Sequence, residues 1–329
     1  MTQNPRYEPR DRVVVAITCG EPAGIGAEVA LKALRSGPPG GVEPLLVGPR
    51  AVWEGAAGLV GLGKGPLPWA LEEPPASGEP DWGWGRPTAR SGEVAAGAVE
   101  LAARLALDGR ADAVVTAPLT KRGLRAAGRP YPGHTEMLQA LCGGRAFMML
   151  AGERLRVVLV TTHVPLAQVP ALVTRERVLE TLRAADQGLR RDLGVRSPRI
   201  AVAGLNPHAG EGGVLGREEA ERIAPAVDAA RAGGIDARGP LPADTVFHRA
   251  ARGDFDAVVA MYHDQGLGPL KLLHFDDAVN ITLGLPIVRT SPDHGTAFDI
   301  AGKGAASAAS FRAALAAAAG IARRRRRTP

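Results

Sequence analysis

The sequence predicts an α/β protein in which a parallel or mixed sheet is covered by helices and two domains flank a cleft. Three observations carry this. Short apolar runs of β character alternate with longer Ala/Leu/Arg segments along the chain, the order expected when each strand is followed by a covering helix. The chain has 329 residues, and one core rarely grows beyond about 250–300 residues, which predicts a second domain and, between the two, a cleft for a small ligand. No apolar run is long enough to span a bilayer.

The elements follow in order. A polar start, MTQNPRYEPRDR, has nothing of a signal peptide. Val13–Thr18 is the first strand, and Cys19-Gly20-Glu21-Pro22-Ala23-Gly24-Ile25-Gly26 turns it into a helix over 26–36. The glycine spacing there is wrong for a G-x-G-x-x-G fingerprint, and no P-loop lysine follows. Pro44–Val47 is the next strand. Residues 61–90, rich in Pro, Gly and Trp without periodicity, read as an irregular excursion. Ser91 caps a helix over 91–108, Ala113–Thr116 is a strand, and 121–127 is helical. Strands Val157–Thr161, Arg199–Ala203 and Ala257–Met261 then alternate with helices over 175–193, 217–232 and 243–252, and Ala306–Ala319 is an Ala-rich helix.

The net charge of +6 does not indicate a nucleic-acid partner, because five of the 40 basic residues are the consecutive Arg323 to Arg327, and the rest nearly balance the 34 acidic ones. Those arginines read as a solvated, frayed tail. Two cysteines, Cys19 and Cys142, make neither a disulfide framework nor a metal spacing, which fits a reducing cytoplasm.

Three histidines stand just beyond three strands. Val157–Thr161 leads to His163, Arg199–Ala203 to His208 in AGLNPHAGEGG, and Ala257–Met261 to His263. A lone histidine near a loop is usually a hydrogen-bonded structural residue. Three at equivalent places predict a shared site, since ligands of open α/β sheets bind beyond the carboxyl ends of the strands. Three neutral imidazoles would hold a divalent cation and leave positions for substrate. Asp264, beside His263, and Asp244, in the loop LPADT, are candidates to fix an imidazole tautomer, although Asp244 equally suits a helix cap.

Pro132-Gly133-His134-Thr135-Glu136 sets a histidine and a hydroxyl at a helix start, where backbone N–H groups favour an anion. His134 also has the chemistry of an acid or base; the competing reading is that Thr135 only caps the helix. Lys271, Asn280 and Arg289 punctuate an otherwise apolar segment, and two cations with an amide suit a phosphorylated carboxylic acid. The glycine-punctuated stretch from Asp293 to Gly302 suits a backbone wrapped around a flat ligand.

GEPAGIG, TAPLTK, PGHTE, GLNPHAGEGG, GPLPADT, YHDQG and RTSPDHGTA together resemble the 4-hydroxythreonine-4-phosphate dehydrogenase family, over nearly the whole chain. The resemblance implies an isocitrate/isopropylmalate-dehydrogenase-like two-domain fold with a cleft, a homodimer with the active site at its interface, NAD, and one divalent cation, zinc, cobalt or magnesium. It implies His163, His208 and His263 as metal ligands, with His263 from the other subunit. His134, Thr135, Lys271, Asn280 and Arg289 would contact substrate. His294, Gly295, Thr296, Ala297 and Asp299 would hold the cofactor. His134, Asp244 and Asp264 are the catalytic candidates, the proton of the substrate hydroxyl going to His134, to an aspartate or to water on the metal. The expected domains are 1–128 with 272–329, carrying the NAD loop, and 129–271, carrying the metal ligands and the dimer interface. Neither the arginine tail nor residues 61–90 are expected to touch the site.

The implied reaction is NAD-dependent oxidation of 4-phosphohydroxy-L-threonine with loss of CO2, giving 3-amino-2-oxopropyl phosphate for pyridoxal 5′-phosphate biosynthesis. The alternative substrates within the same apparatus are 4-phospho-D-threonate and a cyclic dihydrodiol dicarboxylate. A non-catalytic metal- or nucleic-acid-binding protein that uses the tail is the rival from another class.

Overall fold

The structure is a computed structural model and describes residues 12–63, 65–75 and 81–327. Strands β1 (Val13–Thr18), β2 (Val42–Val47), β3 (Ala70–Glu72) and β4 (Ala113–Val115) alternate with helices α1 (Gly26–Arg35), α2 (Arg50–Leu59) and α3 (Ala89–Leu107). Helices α4 (Lys121–Ala126) and α5 (His134–Cys142) lead to β5 (Phe147–Ala151) and β6 (Arg156–Leu159). Next come α6 (Val169–Leu172), α7 (Arg175–Arg191), β7 (Arg199–Ala203), α8 (Ala224–Ala232), β8 (Asp236–Leu241), α9 (Ala243–Ala251) and β9 (Ala257–Ala260). The chain closes with α10 (His263–Leu273), β10 (Val279–Leu283), β11 (Arg289–Pro292) and α11 (Ala309–Arg327).

All the strands of the described residues join one 11-stranded sheet, in the order β3-β2-β1-β4-β11-β10-β5-β6-β9-β7-β8. Two parallel sets, β3-β2-β1-β4-β11 and β6-β9-β7-β8, lie on either side of β10 and β5. Because β10 is antiparallel to both β11 and β5, and β5 is antiparallel to β6, the two sets run in opposite senses. Strands contributed by 1–128 and 272–329 meet those contributed by 129–271 along the single β10–β5 pairing. The inner strands β1, β4, β6, β7 and β9 carry near-continuous apolar runs, fully buried at Val157 to Leu159, Ile200 to Ala203 and Ala257 to Ala260, as a sheet covered on both faces requires. No helix of the described residues is long and apolar enough to cross a membrane.

The glycines of the first turn are needed where they stand. An added Cβ would come within 2.6 Å of the Pro118 carbonyl at Gly20 and within 2.9 Å of the Thr296 carbonyl at Gly24. This turn is therefore a packing hub that receives two other loops.

Two expectations change. The arginines at the end of the chain are not a frayed tail: α11 runs to Arg327, and Arg325 clasps the buried Asp192 through bonds of 2.7 and 2.9 Å while Arg326 pairs with Asp112. Asp192 belongs to the end of α7 and Asp112 to the start of β4, so the helix end straps the two strand sets together. The 61–90 excursion contributes β3 to the sheet edge, and its Trp84 packs on Gly302, where an added Cβ would lie 2.5 Å from the ring. It therefore touches the loop expected to hold the cofactor.

Candidate active site

A cavity of about 400 Å³ opens over the seam between the two strand sets. His134, Thr135, Lys271, Asn280, Arg289, His163, His263, His294 and Gly295, nine residues singled out from the sequence, all line it. The floor is Arg289, the first residue of β11, only 3% exposed. Its guanidinium donates to the Thr116 hydroxyl at 2.7 and 3.1 Å and to the Thr282 hydroxyl at 3.0 Å, and among the described residues to no carboxylate. Burial alone brings it down to about 10, so it stays cationic at neutral pH. A buried cation held only by hydroxyls attracts an anion.

Around it lie buried polar atoms without a partner: His134 Nε2 and Asn280 Oδ1. His134 opens α5, whose N-cap is Gly133 and carries no side-chain cap, so Thr135 is not a capping residue and the first N–H groups of the helix remain free for a ligand. Burial, and then the Arg289 charge, push His134 well below the ordinary histidine value, which leaves it neutral.

Two of the three expected metal ligands meet here. β6 and β9 are adjacent and parallel, and Thr161 bonds the Met261 carbonyl through both its N–H and its hydroxyl, two residues before each histidine. The His163 and His263 rings consequently stand 5.4 Å apart. Asp264 Oδ1 sits 2.6 Å from His263 Nδ1, a partner that fixes the ring and leaves Nε2 for coordination. Burial, then Lys121 and His263, lower His163, favouring the neutral ligand form.

His208 is not among the cavity residues. It sits on a left-handed turn in which His208, Ala209, Gly210, Glu211 and Gly212 all have positive φ, and its side chain is 66% exposed. The turn is held by Glu219, which accepts the Leu205 and Asn206 N–H groups at 2.7 Å. Asp244 is also exposed, in the first turn of α9 after the N-cap Pro242, and caps nothing. Among the described residues no three of His, Cys, Asp and Glu come together to hold a metal. His163 and His263 are neighbours in one chain, and His208 lies outside the cavity they share.

A second cavity, of about 230 Å³, shares Lys271, Asp293 and His294 with the first and is lined by Ala297 and Ile300 of the expected cofactor loop. Thr296 is buried, its carbonyl accepting the Ile25 N–H, while Asp299 is exposed and outside both cavities. At the junction Lys271 Nζ lies 3.1 Å from Asp293 Oδ2, an ion-pair distance without hydrogen-bond alignment, and His294 Nε2 is buried and unpartnered. These open groups fit the polar middle of a dinucleotide.

Several site residues were assigned no role of their own from the sequence. Thr116, Lys121, Glu136 and Asp293 line the first cavity. Gln265 of YHDQG is 9% exposed and bonds the Met261 N–H and the Gly204 carbonyl, tying β9 to β7. The TAPLTK and RTSPDHG motifs carried the signal, but their polar residues are indistinguishable there from ordinary turn residues.

Comparison with known proteins gives a consistent answer. The profile of the family described as "Pyridoxal phosphate biosynthetic protein PdxA" matches residues 66–318. A 4-hydroxythreonine-4-phosphate dehydrogenase of Geobacter metallireducens is 51% identical, with 97% of each chain covered. The crystal structure of a protein of that name from Klebsiella pneumoniae superposes with a TM-score of 0.84 at 41% identity, covering 94% of this chain and 98% of the other. A terephthalate 1,2-cis-dihydrodioldehydrogenase from Burkholderia xenovorans gives 0.64 at 30% identity, covering 91% and 95%. With the family profile spanning most of its length, this chain belongs to the pyridoxal phosphate biosynthetic protein PdxA family.

Proposed function

We propose that the chain is an NAD-dependent dehydrogenase that oxidises 4-phosphohydroxy-L-threonine, with loss of CO2, to 3-amino-2-oxopropyl phosphate. It acts in the cytoplasm as a homodimer. The observation that carries this reading is the buried Arg289, held among the described residues by Thr116 and Thr282 alone, beside the free N–H groups at the start of α5. That floor suits a phosphate dianion: a planar guanidinium donates in pairs, and the helix start adds donors and positive potential.

When bound, NAD supplies the hydride acceptor and a divalent cation, such as zinc, cobalt or magnesium, supplies Lewis acidity at the reacting oxygen. The chain's own residues do the rest. Arg289 and the α5 N–H groups hold the phosphate, and Lys271 and Asn280 hold the other polar end, which fixes the carbon to be oxidised. His134, neutral because it is buried beside Arg289, offers a hydrogen bond without a second charge. Asp264 keeps the His263 Nδ1 proton in place so that Nε2 faces the cation.

His163 and His263 are two ligands of a set that needs a third. We assign that place to His208 of a second copy of the chain, since its turn projects into solvent close to exposed Val214 and Leu215. The partner would also bring Asp244, whose helix α9 packs on the same turn.

A dihydrodiol dicarboxylate would use the same cation and cofactor with a carboxylate at Arg289, as the likeness to the Burkholderia enzyme allows. A substrate panel separates the two. Phosphorylated hydroxythreonine with NAD and a divalent cation is expected to yield NADH and CO2; turnover confined to unphosphorylated or diol substrates would reject the proposal.

A further inference from the structure

The second cavity has a wall to which the proposed function gives no task. Phe275 lines it, yet the residue is 73% exposed, and among the described residues no ring or guanidinium stacks on it. Ile25, Ala297 and Ile300 supply further apolar lining. A large aromatic side chain left in solvent gains nothing from folding.

Its neighbour is held with unusual care. His274 is 5% exposed and packs so closely on Gly152 that an added Cβ would lie 2.2 Å from its ring. Its Nε2 accepts the Arg154 N–H at 3.2 Å, which puts the ring proton on Nδ1, facing the Asp277 carboxylate at 3.2 Å. The turn carrying Phe275 is thus pinned before and behind, by His274 to the β5–β6 hairpin and by Asp277 to His274. After it, the Ala278 carbonyl accepts the Ser310 hydroxyl, which in turn accepts the Asp293 N–H between the two cavities. Phe275 is an exposed ring on a fixed mount.

We propose that Phe275 is a stacking face for the adenine ring of the dinucleotide, and that His274 is the positioning residue that holds it there. The inference rests on the reading of the second cavity as part of the NAD site. A purine has a flat apolar face that an aromatic ring covers well, and a ring already in place loses little freedom on binding.

Binding of NADH, followed by calorimetry and by its own fluorescence, tests this without turnover. Phe275→Ala is expected to weaken NADH roughly 5- to 150-fold, the range for losing one base–aromatic stack, while Phe275→Tyr retains it. Reduced nicotinamide mononucleotide, which lacks adenine, should bind the wild type and Phe275→Ala alike. His274→Ala should reproduce the adenine-dependent loss, with His274→Gln recovering part of it by restoring an acceptor for Arg154. Unchanged NADH affinity in Phe275→Ala, or an equal loss for both nucleotides, overturns the proposal. Ala297→Asp, across the same cavity, separates the two levels. If it abolishes NADH binding while Phe275→Ala does not alter it, only the stacking assignment falls; if neither variant matters, the cavity is not the dinucleotide site.

Discussion

The rings of His163 and His263 stand 5.4 Å apart at the ends of two adjacent parallel strands of the same chain. On the assignment proposed above, a cation shared between subunits takes both from one chain and His208 from the other. Refolding equal amounts of His163→Ala and His208→Ala subunits should return about a quarter of wild-type activity, because half the dimers are mixed and each mixed dimer has one intact site. His163→Ala with His263→Ala should return none, since every site lacks a ligand. Recovery in the second mixture instead of the first would place His263, not His208, on the partner. Isolated mixed dimers make either result decisive.

Arg289 presents its donors to Thr116 and Thr282 on one side and to the cavity on the other. Arg289→Met should raise the KM for the phosphorylated substrate about 10- to 150-fold, the cost of a charge-assisted hydrogen bond of roughly 1.5–3 kcal/mol. NAD affinity should stay the same, because the second cavity does not include this residue. Arg289→Lys should rescue little, having no planar fork. In the wild type, capture should weaken as pH rises through about 10, where burial makes the guanidinium lose its proton. Initial rates over a range of pH with each variant check both statements.

Glu219 is 5% exposed and accepts the Leu205 and Asn206 N–H groups at the entrance to the left-handed turn. Non-glycine residues in that region cost about 1–2 kcal/mol each, so the turn persists only where its surroundings impose it. Glu219→Ala should lower stability by about 1–3 kcal/mol and, on the assignment above, weaken cation binding while the affinity of a phosphate analogue stays constant. A cation titration that matches wild type would show that the turn has no part in the metal site.

Arg325 and Asp192 form a clasp between α11 and the end of α7, with Asp192 1% exposed. Burial works to raise the Asp192 carboxyl, but bonds and charge from Arg325, and then Arg191, outweigh it and hold it below the ordinary 3.8. A depressed carboxylate gives stability that is present above that value and lost as pH falls through the folded one. Arg325→Ala should cost roughly 3 kcal/mol at pH 7, and the difference from wild type should shrink in acid as Asp192 becomes neutral. Urea melts at several pH values measure this; an equal penalty throughout would mean that the clasp acts through packing alone.

Much of the architecture was legible in the residues, and the gaps have physical causes. β6, β7 and β9 carry the apolar runs Val157 to Leu159, Ile200 to Ala203 and Ala257 to Ala260, and the three histidines fall just beyond strands that could be identified for that reason. β8, reading Asp-Ala-Arg-Gly-Pro-Leu, is a polar edge strand with no alternation to detect. α10 contains Gly266, Gly268 and Pro269, breakers that tertiary packing overrides in this helix. The arginine run looked solvated because its partners, Asp112 and Asp192, are distant in sequence. The separation of His208 from the other two histidines depends on a run of positive φ values, which only a fold can impose.

The opposed senses of the two strand sets make the sheet a ruler. Beyond β4 and β11 lie Thr116, His294 and the loop that follows it; beyond β6 and β9 lie His163 and His263; β10 and β5 span the interval between them. A slip of one residue along β10 would shift the two ends by about 3.4 Å and turn Asn280 to the other face. The spacing between those two ends therefore rests on a backbone pairing, Val279 against Ala151 through Leu283 against Phe147.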